Sequence, residues 1–385
     1  MCSVNRKTKL NGNNLSVVDL FAGVGGLSLG AIRAGYDLAL AIDNDIHALA
    51  AHNLNFPLVN HLSEDINNLN GEKILEACAP RFRKIDGVIG GPPCQGFSQI
   101  GRRNVLDPRN NLFIKFFEIV GQLKPKFFIA ENVLGILDKK YNTIRKKAFD
   151  YLNDEYVLIS PIKLKASEFG VPTNRERVFF IGYLECEYNT ISTTDFISLK
   201  TKALTTVKEA FHGLPTICRE WQKEEQSWQA LTSEAPHKTD YWMRISDFIP
   251  DGVGNSEAIR RYVYNKQVSG CFGTRHSNEV EARFAKLNHG ERDIVSKSVR
   301  LDPGGLCPTL RAGTGSDKGS YQSVRPIHPT SPRVITPREA ARLQGFPDWF
   351  QFSPTKWHSF RQIGNSVSPI LAENIFLIMK NKLKT

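Results

Sequence analysis

Short apolar runs alternate with helix-like stretches between about Leu15 and Tyr183. A glycine-rich turn follows the first apolar run and leads into a helix that begins at about Gly26. Runs of this length and residue type, bounded by turn residues, predict strands. Strands that alternate with helices predict an α/β fold with a mostly parallel sheet and helices on both faces. The predicted strands are Ser16–Ala22, Leu38–Ile42, Val88–Ile89, Phe127–Ala130 and Val178–Gly182.

The pattern changes after Tyr183. Residues 184–330 are rich in charge, tryptophan, glycine and proline, which predicts a second, irregular domain. A helix is predicted again at Thr336–Phe346, and a final helix is predicted from about Ser368 to Lys380. The predicted division is a larger domain of residues 1–184 plus 358–385 and a smaller domain of residues 185–357.

Charge narrows the class of partner. The chain has 50 Lys and Arg residues against 39 Asp and Glu residues, which gives a net charge of +11. A basic balance of this size favours a polyanionic partner, most often nucleic acid. No apolar run is long enough to span a bilayer, and the polar N-terminus has no signal-peptide core. We therefore expect a soluble, cytoplasmic protein without membrane association.

The cysteines argue against a metal or disulfide framework. The chain contains seven of them, an odd number, and they are widely spread. None forms a Cys-x-x-Cys pair, and no Cys/His spacing matches a zinc site. We expect a reducing compartment and no metal.

The glycine-rich turn lies where a cofactor can approach the backbone. Asp19–Gly30 follows a strand and opens a helix, an arrangement that favours ligand binding at a helix N-terminus. It departs from a dinucleotide fingerprint because Ser28 occupies the position of the third glycine. Asp43, twenty residues beyond Gly23, can accept ribose hydroxyls, and Asp65 follows at a spacing that suits an adenine amine. These residues predict an adenosine-containing cofactor without specifying which one.

A second segment carries a candidate nucleophile. Gly90–Ser98 places Cys94 just after a strand, behind two prolines that restrict the backbone. A thiol on such a stiff loop is suited to nucleophilic attack if its thiolate fraction is raised. Taken alone, the segment is more often a proline-glycine turn around an incidental buried cysteine, and only the other segments reverse that judgement.

Taken together in this order and spacing, the motifs resemble those of the bacterial DNA cytosine-5 methyltransferases from about Val17 to the end of the chain. That resemblance implies a Rossmann-like, S-adenosylmethionine-dependent methyltransferase sheet with a smaller, irregular target-recognition domain. The larger predicted domain would be the catalytic one. The matching segments are Asp19–Gly26, Asp43, Asp65, Gly91–Ser98, Asp107–Arg109 with Leu112, Glu131–Val133, Arg175–Arg177, Arg338–Pro347 and Gln362–Val367.

The resemblance also implies a mechanism. Cys94 would add to carbon 6 of cytosine and so make carbon 5 nucleophilic toward the methyl group. Glu131 would hydrogen-bond the pairing edge of the base, and Arg177 would hold its carbonyl oxygen. Arg175 would hold a neighbouring phosphate or the Cys94 loop. No metal is required, and the target base must be flipped out of the duplex.

Further residues receive roles from the same resemblance. The residues expected to bind S-adenosyl-L-methionine are Asp19, Phe21, Gly23, Gly25, Gly26, Asp43, Asp65, Ile66, Pro93, Leu112, Asn365 and Val367. The residues expected to contact DNA are Gln95 and Ser98 near the flipped nucleotide, and Arg275, Thr309, Arg311 and Gln322 in the recognition region. For the arginines and Gln322, phosphate contact is as good an interpretation as base reading. The implied partner is double-stranded DNA, bound by a monomer, with a cognate restriction endonuclease acting on the same site.

Three alternatives stay open at this point. A tRNA cytosine-5 methyltransferase would use the same scaffold, although the long basic insert, residues 184–332, suits duplex DNA better. A non-catalytic DNA-binding relative would not need Cys94, Glu131 and Arg177 together. A nicotinamide dehydrogenase is disfavoured by Ser28 in the glycine turn and by Cys94.

Overall fold

A computed structural model describes residues 14–93, 110–201, 203–217, 228–233, 239–247, 249–313 and 325–384. Within these ranges one mixed sheet of eight strands dominates the fold, in the order β3-β2-β1-β4-β5-β8, with β6 and β7 both pairing along the outer edge of β8. Its strands are β1 (Ser16–Asp19), β2 (Asp37–Asp43), β3 (Asn60–Ser63), β4 (Gly87–Gly90), β5 (Phe127–Asn132), β6 (Val157–Leu158), β7 (Ile162–Lys165) and β8 (Glu176–Tyr183).

Strand direction brings distant parts of the sequence to one edge. The first five strands are parallel, so their carboxyl ends lie together. The eighth strand runs antiparallel to β5 and pairs Asn132 with Val178 and Glu131 with Phe179. The amino-terminal end of β8 therefore lies at the same edge as the carboxyl ends of the parallel strands.

Helices cover both faces of the sheet. The helices of the larger part are α1 (Gly26–Arg33), α2 (Ile46–Asn55), α3 (Gly71–Cys78), α4 (Asn110–Leu123) and α5 (Asn142–Phe149). They are followed by α6 (Thr193–Ser198), α7 (Val207–Phe211), α8 (Asp240–Trp242), α9 (Ser256–Asn265), α10 (Asn278–Ala285), α11 (Pro337–Leu343), α12 (Lys356–Asn365) and α13 (Pro369–Lys382). A two-stranded ladder joins β9 (Gln229–Ala230) to β10 (Gln267–Val268).

Successive strand residues point to opposite faces and so build two apolar clusters. Val17 and Phe127 join the cluster that includes α1 and α13, whereas Val18 and Phe128 join the cluster that includes α4. The first cluster continues into the second half of the chain, where it includes Trp349. Among the described residues the two predicted domains therefore share one core.

The region before the last two helices is fixed by buried charge. A capping box between Thr336 and Glu339 starts α11, and Pro337 occupies its first turn. Arg342, completely buried, forms an ion pair of 2.7 Å with Asp348. Such a pair tolerates little displacement, because losing one partner leaves a buried charge uncompensated.

The predicted strands all lie in the sheet, and the α/β class is confirmed. The first strand is shorter than predicted and ends at Asp19, because the chain turns there toward the glycines. The exposed, polar strand Asn60–Ser63 was not predicted. The predicted domain boundary at residues 357/358 falls inside α12, and the division into two domains stays a prediction. In the described part of the chain, no helix is long and apolar enough to cross a membrane.

Candidate active site

A cleft of about 270 Å³ opens at the edge where the carboxyl ends of the parallel strands meet. It brings together ten of the residues predicted to bind the cofactor with three of those predicted to be catalytic. The former are Phe21, Gly23, Gly26, Asp43, Asp65, Ile66, Pro93, Leu112, Asn365 and Val367, and the latter are Glu131, Arg175 and Arg177.

Glycines in the turn after β1 are required for two different reasons. Gly23 has a φ of +55°, and no atom lies within 4 Å of the position a Cβ would take. Gly26 faces the last motif instead, where a Cβ would lie 2.1 Å from the hydroxyl of Ser366. The turn is therefore open on one side and closely covered by the C-terminal segment on the other.

The carboxylate of Asp43 is held in place at the end of β2. One oxygen accepts a hydrogen bond of 2.8 Å from the main chain of Gly23, and the other accepts one of 2.8 Å from Asp45. Burial raises the pKa of Asp43. At the end of β3, Asp65 accepts a hydrogen bond of 2.9 Å from the main chain of Asn67. Both acids line the cleft.

Two residues predicted to bind cofactor do not line the cleft. Asp19 is completely buried behind the turn and accepts a hydrogen bond of 2.7 Å from Ser28. Gly25 has a φ of +99°, and a Cβ there would lie 2.4 Å from the ring of Phe56. Both lie behind the turn, and direct contact of either residue with the cofactor stays a prediction.

The pairing of β5 with β8 brings Glu131 and Arg177 together as an ion pair. Arg177 Nε lies 2.8 Å from Glu131 Oε1, and both side chains are mostly buried. A Cβ on Gly91 would lie 3.0 Å from Glu131 Oε2, and Asn132 donates to the carbonyl of Pro92 at 3.2 Å. The start of the Gly91–Ser98 segment is thus anchored to the end of β5. The predicted residues Cys94, Gln95, Ser98 and Gln322 lie outside the described residues.

The side chain of Arg175 binds main-chain carbonyl groups. Its guanidinium donates to the carbonyl of Leu310 at 3.3 Å, to that of Gly364 at 2.8 Å and to that of Asn365 at 3.2 Å. The side chain is almost fully buried. It therefore connects the strand that carries Arg177 to the loop at Leu310, in the predicted recognition region, and to the end of α12.

The recognition residues that the structure describes lie on loops. Arg275 and Arg311 are exposed, and Thr309 is half-buried with its hydroxyl 3.4 Å from the carbonyl of Asn174. A Cβ on Gly364 would lie 2.6 Å from the backbone of Arg311, so this loop packs directly on the cleft wall. Arg311 therefore extends from the margin of the cleft.

Some cleft residues were missed by the sequence reasoning. The cleft is also lined by Asp45, Glu64, Arg361 and Gln362. Arg361 lies 3.5 Å from Asp45 and so connects α12 to α2. Gln362 belongs to a matched motif, and Glu64 directly precedes another. The sequence therefore contained a signal by which these two residues could have been found. Asp45 has no such signal, because its effect depends on the capping of α2.

Comparisons with known proteins define the class. The chain belongs to the C-5 cytosine-specific DNA methylase family, whose model matches residues 15–381. It is 38% identical to the Type II methyltransferase M.XorII of Xanthomonas oryzae pv. oryzae, over 93% of this chain and 82% of that one. It is 34% identical to the Type II methyltransferase M.DdeI of Desulfomicrobium norvegicum, over 93% and 87%.

Solved structures agree. A protein described as a DNA modification methyltransferase encoded within an E. coli prophage superposes with a TM-score of 0.85 at 48% identity, over 96% of this chain and 99% of that one. The S. pombe Dnmt2 methyltransferase shares the fold, with a TM-score of 0.59 at 18% identity and coverage of 96% and 99%. The resemblance drawn from the motifs is confirmed, and the chain is a DNA cytosine-5 methyltransferase.

Proposed function

We propose that this enzyme transfers a methyl group from S-adenosyl-L-methionine to carbon 5 of a flipped-out cytosine in a short, specific double-stranded DNA sequence. The observation that carries the proposal is the single cleft that joins Asp43 and Asp65 to the pair formed by Glu131 and Arg177. The Type II names of the relatives support a role as the modification enzyme of a restriction-modification system.

The residues at one end of the cleft fit the proposed cofactor. The open turn at Gly23 would receive its amino-acid part, Asp43 its ribose hydroxyls, and Asp65 its adenine amine. When bound, S-adenosyl-L-methionine supplies a methyl group on a positively charged sulfonium. The carboxylates of Asp43, which is half-buried, and Asp65, which is exposed, are a favourable environment for a cationic ligand. In the described residues no group of three or more His, Cys, Asp or Glu side chains is arranged to hold a metal ion.

The other end would activate the base. Cys94 would add as a thiolate to carbon 6, which turns carbon 5 into the nucleophile. Glu131 would hydrogen-bond the ring nitrogen and the exocyclic amine, so that negative charge does not accumulate on the pairing edge. Arg177 would hold both Glu131 and the carbonyl oxygen of the base. After methyl transfer, a general base removes the proton from carbon 5 of the cytosine, and the bond between Cys94 and carbon 6 then breaks.

Arg175 has a different role in this proposal from the one the resemblance implied. Its hydrogen bonds to the carbonyls of Leu310, Gly364 and Asn365 support a positioning role. It would hold the recognition loop at a fixed distance from the cofactor wall. Arg275 and Arg311 would then contact the duplex, on phosphates or base edges.

The proposed setting follows from the same class. One flipped base needs one active site, so we expect a monomer acting on cytoplasmic double-stranded DNA. A cognate restriction endonuclease that cuts the same sequence would be its functional partner.

The test is methyl incorporation from labelled S-adenosyl-L-methionine into unmethylated genomic DNA and, in parallel, bulk tRNA, followed by bisulfite sequencing. We expect label in DNA at one recurring short motif. Cys94→Ser should abolish transfer while cofactor and DNA binding persist, whereas Cys186→Ser, at an exposed cysteine, should remain active. Label in tRNA alone, or full activity of Cys94→Ser, would contradict the proposal.

A further inference from the structure

One face of α12 contacts three segments of the predicted recognition region. Lys356, Phe360 and Gly364 follow each other at intervals of four residues, so they lie on the same side of the helix. At a rise of about 1.5 Å per residue, this face is about 12 Å long. Each of the three positions meets a different segment of the chain, and each segment brings a basic side chain or accepts one.

At the start of this face, a lysine reaches the loop that precedes Arg275. The ammonium group of Lys356 donates a hydrogen bond to the main-chain carbonyl of Gly273 and lies 5.4 Å from the centre of the Phe272 ring. Both of these groups are neutral, so neither contact offsets the positive charge of Lys356. Lys356 is half-buried and Arg275 is exposed, so positive charge collects at this end of the helix.

At the middle of the face, the guanidinium group of Arg325 lies over the ring of Phe360, 4.2 Å from its centre. Phe360 is buried, and an aromatic ring attracts a cation to its face, so this contact holds the arginine against the helix. An arginine over a ring still has its fork of N–H donors for a planar acceptor such as phosphate.

Arg325 differs from a neighbouring arginine that stabilises the fold. Arg333 is buried and lies 2.7 Å from the carboxylate of Glu339. Burial lowers the pKa of Arg325 to about 10, and no carboxylate in the described part of the chain counteracts this shift. Burial and the charge of Arg325 also lower the pKa of Lys356 to about 8. Two partly desolvated cations held close together are unfavourable unless an anion joins them.

At the end of the face, Gly364 packs against the backbone of Arg311, whose side chain is exposed. The same helix forms part of the cleft, which Arg361 and Gln362 line. We call the three basic side chains along this face the cationic row: Lys356, Arg325 and Arg311. The helix therefore connects the cationic row directly to the cleft.

We infer that the cationic row binds successive phosphates of one DNA strand and holds that strand against the helix that forms a wall of the cleft. The inference rests on the proposed duplex DNA substrate, and it adds Arg325 and Lys356 to the residues expected to contact it. Phosphates of one strand follow each other about every 3.4 Å along the duplex axis, so a row of about 12 Å spans the rise of about three of them. Phosphate contacts fix the position of a duplex without reading its sequence.

The first experiment measures the affinity for duplex DNA between about 50 and 200 mM salt. We expect Arg325→Gln and Lys356→Gln each to make the slope of log affinity against log salt concentration shallower by about 0.9, and the double variant by about 1.8. The factor by which Arg325→Gln weakens binding should therefore shrink by about 3.5-fold across this range. The weakening should be equal for duplexes with and without the target sequence, because phosphates are common to both.

Two control variants separate a phosphate contact from other effects. Arg325→Lys keeps the charge and should keep the slope. Lys84→Gln removes the charge of an exposed lysine just before β4, at the edge of the sheet opposite the cleft, and should also keep the slope. Cofactor affinity should be the same in all of these variants, which checks that the cleft is intact.

The second experiment locates the contacts on the DNA. Single phosphates of the duplex are replaced by neutral methylphosphonates, and the loss of affinity is measured at each position. A position that matters for the unsubstituted protein should no longer matter for Arg325→Gln, and another position on the same strand should no longer matter for Lys356→Gln. Such coupling is expected only between groups in contact.

Unchanged slopes in Arg325→Gln and Lys356→Gln would overturn the inference. A weakening confined to the duplex that contains the target sequence would also overturn it, since it would indicate base reading. The same holds if the positions coupled to Arg325 and Lys356 lie on different strands.

Failure of the proposed function would look different. If the slopes changed as expected but no methyl group entered DNA, the cationic row would stand and the proposed reaction would be wrong. If methyl transfer to DNA occurred but the variants kept the slope of the unsubstituted protein, the reaction would stand and the cationic row would be refuted.

Discussion

At the scale of single residues, Glu131 is fixed from three directions. Its strand places it at the carboxyl edge of the sheet, and Arg177 Nε contacts one of its oxygens at 2.8 Å. Gly91 approaches the other oxygen so closely that a Cβ there would lie 3.0 Å away. Preorganised groups of this kind stabilise a transition state without reorganising during the reaction. This fixed position supports the proposed role of Glu131 in binding the target base.

This geometry gives a prediction for Glu131→Gln. The substitution keeps the shape but removes the acid, so we expect kcat for methyl transfer to fall by about 10²–10⁴-fold, the usual contribution of a positioned acid or base. Cofactor affinity should change little. The matched control is Glu168→Gln, at a partly exposed glutamate paired with Lys200. Steady-state kinetics of both variants check the prediction, and equal kcat values for the two would contradict it.

At the scale of elements, the predicted recognition region is joined to the sheet through main-chain contacts. Arg175 donates to the carbonyls of Leu310 and Gly364, and Gly364 in α12 packs against the backbone of Arg311. Because the contacts are made by backbone, they fix where the loop lies whatever side chains it presents. If the loop that carries Arg311 reads DNA as proposed, its position would not depend on which side chains it presents to the bases.

Gly364→Ala tests that contact. The added methyl group would lie 2.6 Å from the Arg311 carbonyl carbon and 2.7 Å from the Ala312 nitrogen, and backbone cannot yield cheaply. We expect a loss of about 1–3 kcal/mol in unfolding free energy and a rise in KM for DNA that exceeds the rise in KM for the cofactor. Gly304→Ala is the control, since its nearest contact would be a side-chain oxygen at 3.7 Å. Equal effects on both KM values would argue against displacement of the loop.

The sequence predicted those elements whose pattern is local. Buried strands such as Phe127–Asn132 can be recognised in the sequence as apolar runs. By contrast, β3 is polar and exposed, and its strand conformation depends on pairing with β2. The motifs indicated most of the cleft lining. They could not indicate that Arg175 binds carbonyls, or that Ser28 and His52 meet behind the turn. Such contacts join residues on different elements, and only the folded chain brings them together.

At the scale of the whole molecule, one apolar cluster runs through both predicted domains. It includes the sheet face under α1 and α13 as well as Trp242, Leu343 and Trp349 from the second half of the chain. A shared core of this kind resists independent motion of the two parts. The cleft and the loop that carries Arg311 are therefore supported by the same apolar packing.

A second property of the whole molecule is its net charge, which predicts different salt dependences for DNA binding and for cofactor binding. A chain of net charge +11 that lies along a duplex releases counterions, so DNA affinity must fall steeply with salt. In the proposed function the cofactor is held instead by short-range contacts to Asp43 and Asp65, which salt screens far less than a long line of phosphate contacts. Between 50 and 200 mM salt we expect DNA affinity to fall by about 10³-fold or more and cofactor affinity to change by less than about threefold. If Arg311 contacts a phosphate, Arg311→Ala should reduce the slope of log DNA affinity against log salt concentration by about 1. A DNA affinity that does not change with salt would contradict an interface dominated by phosphate contacts.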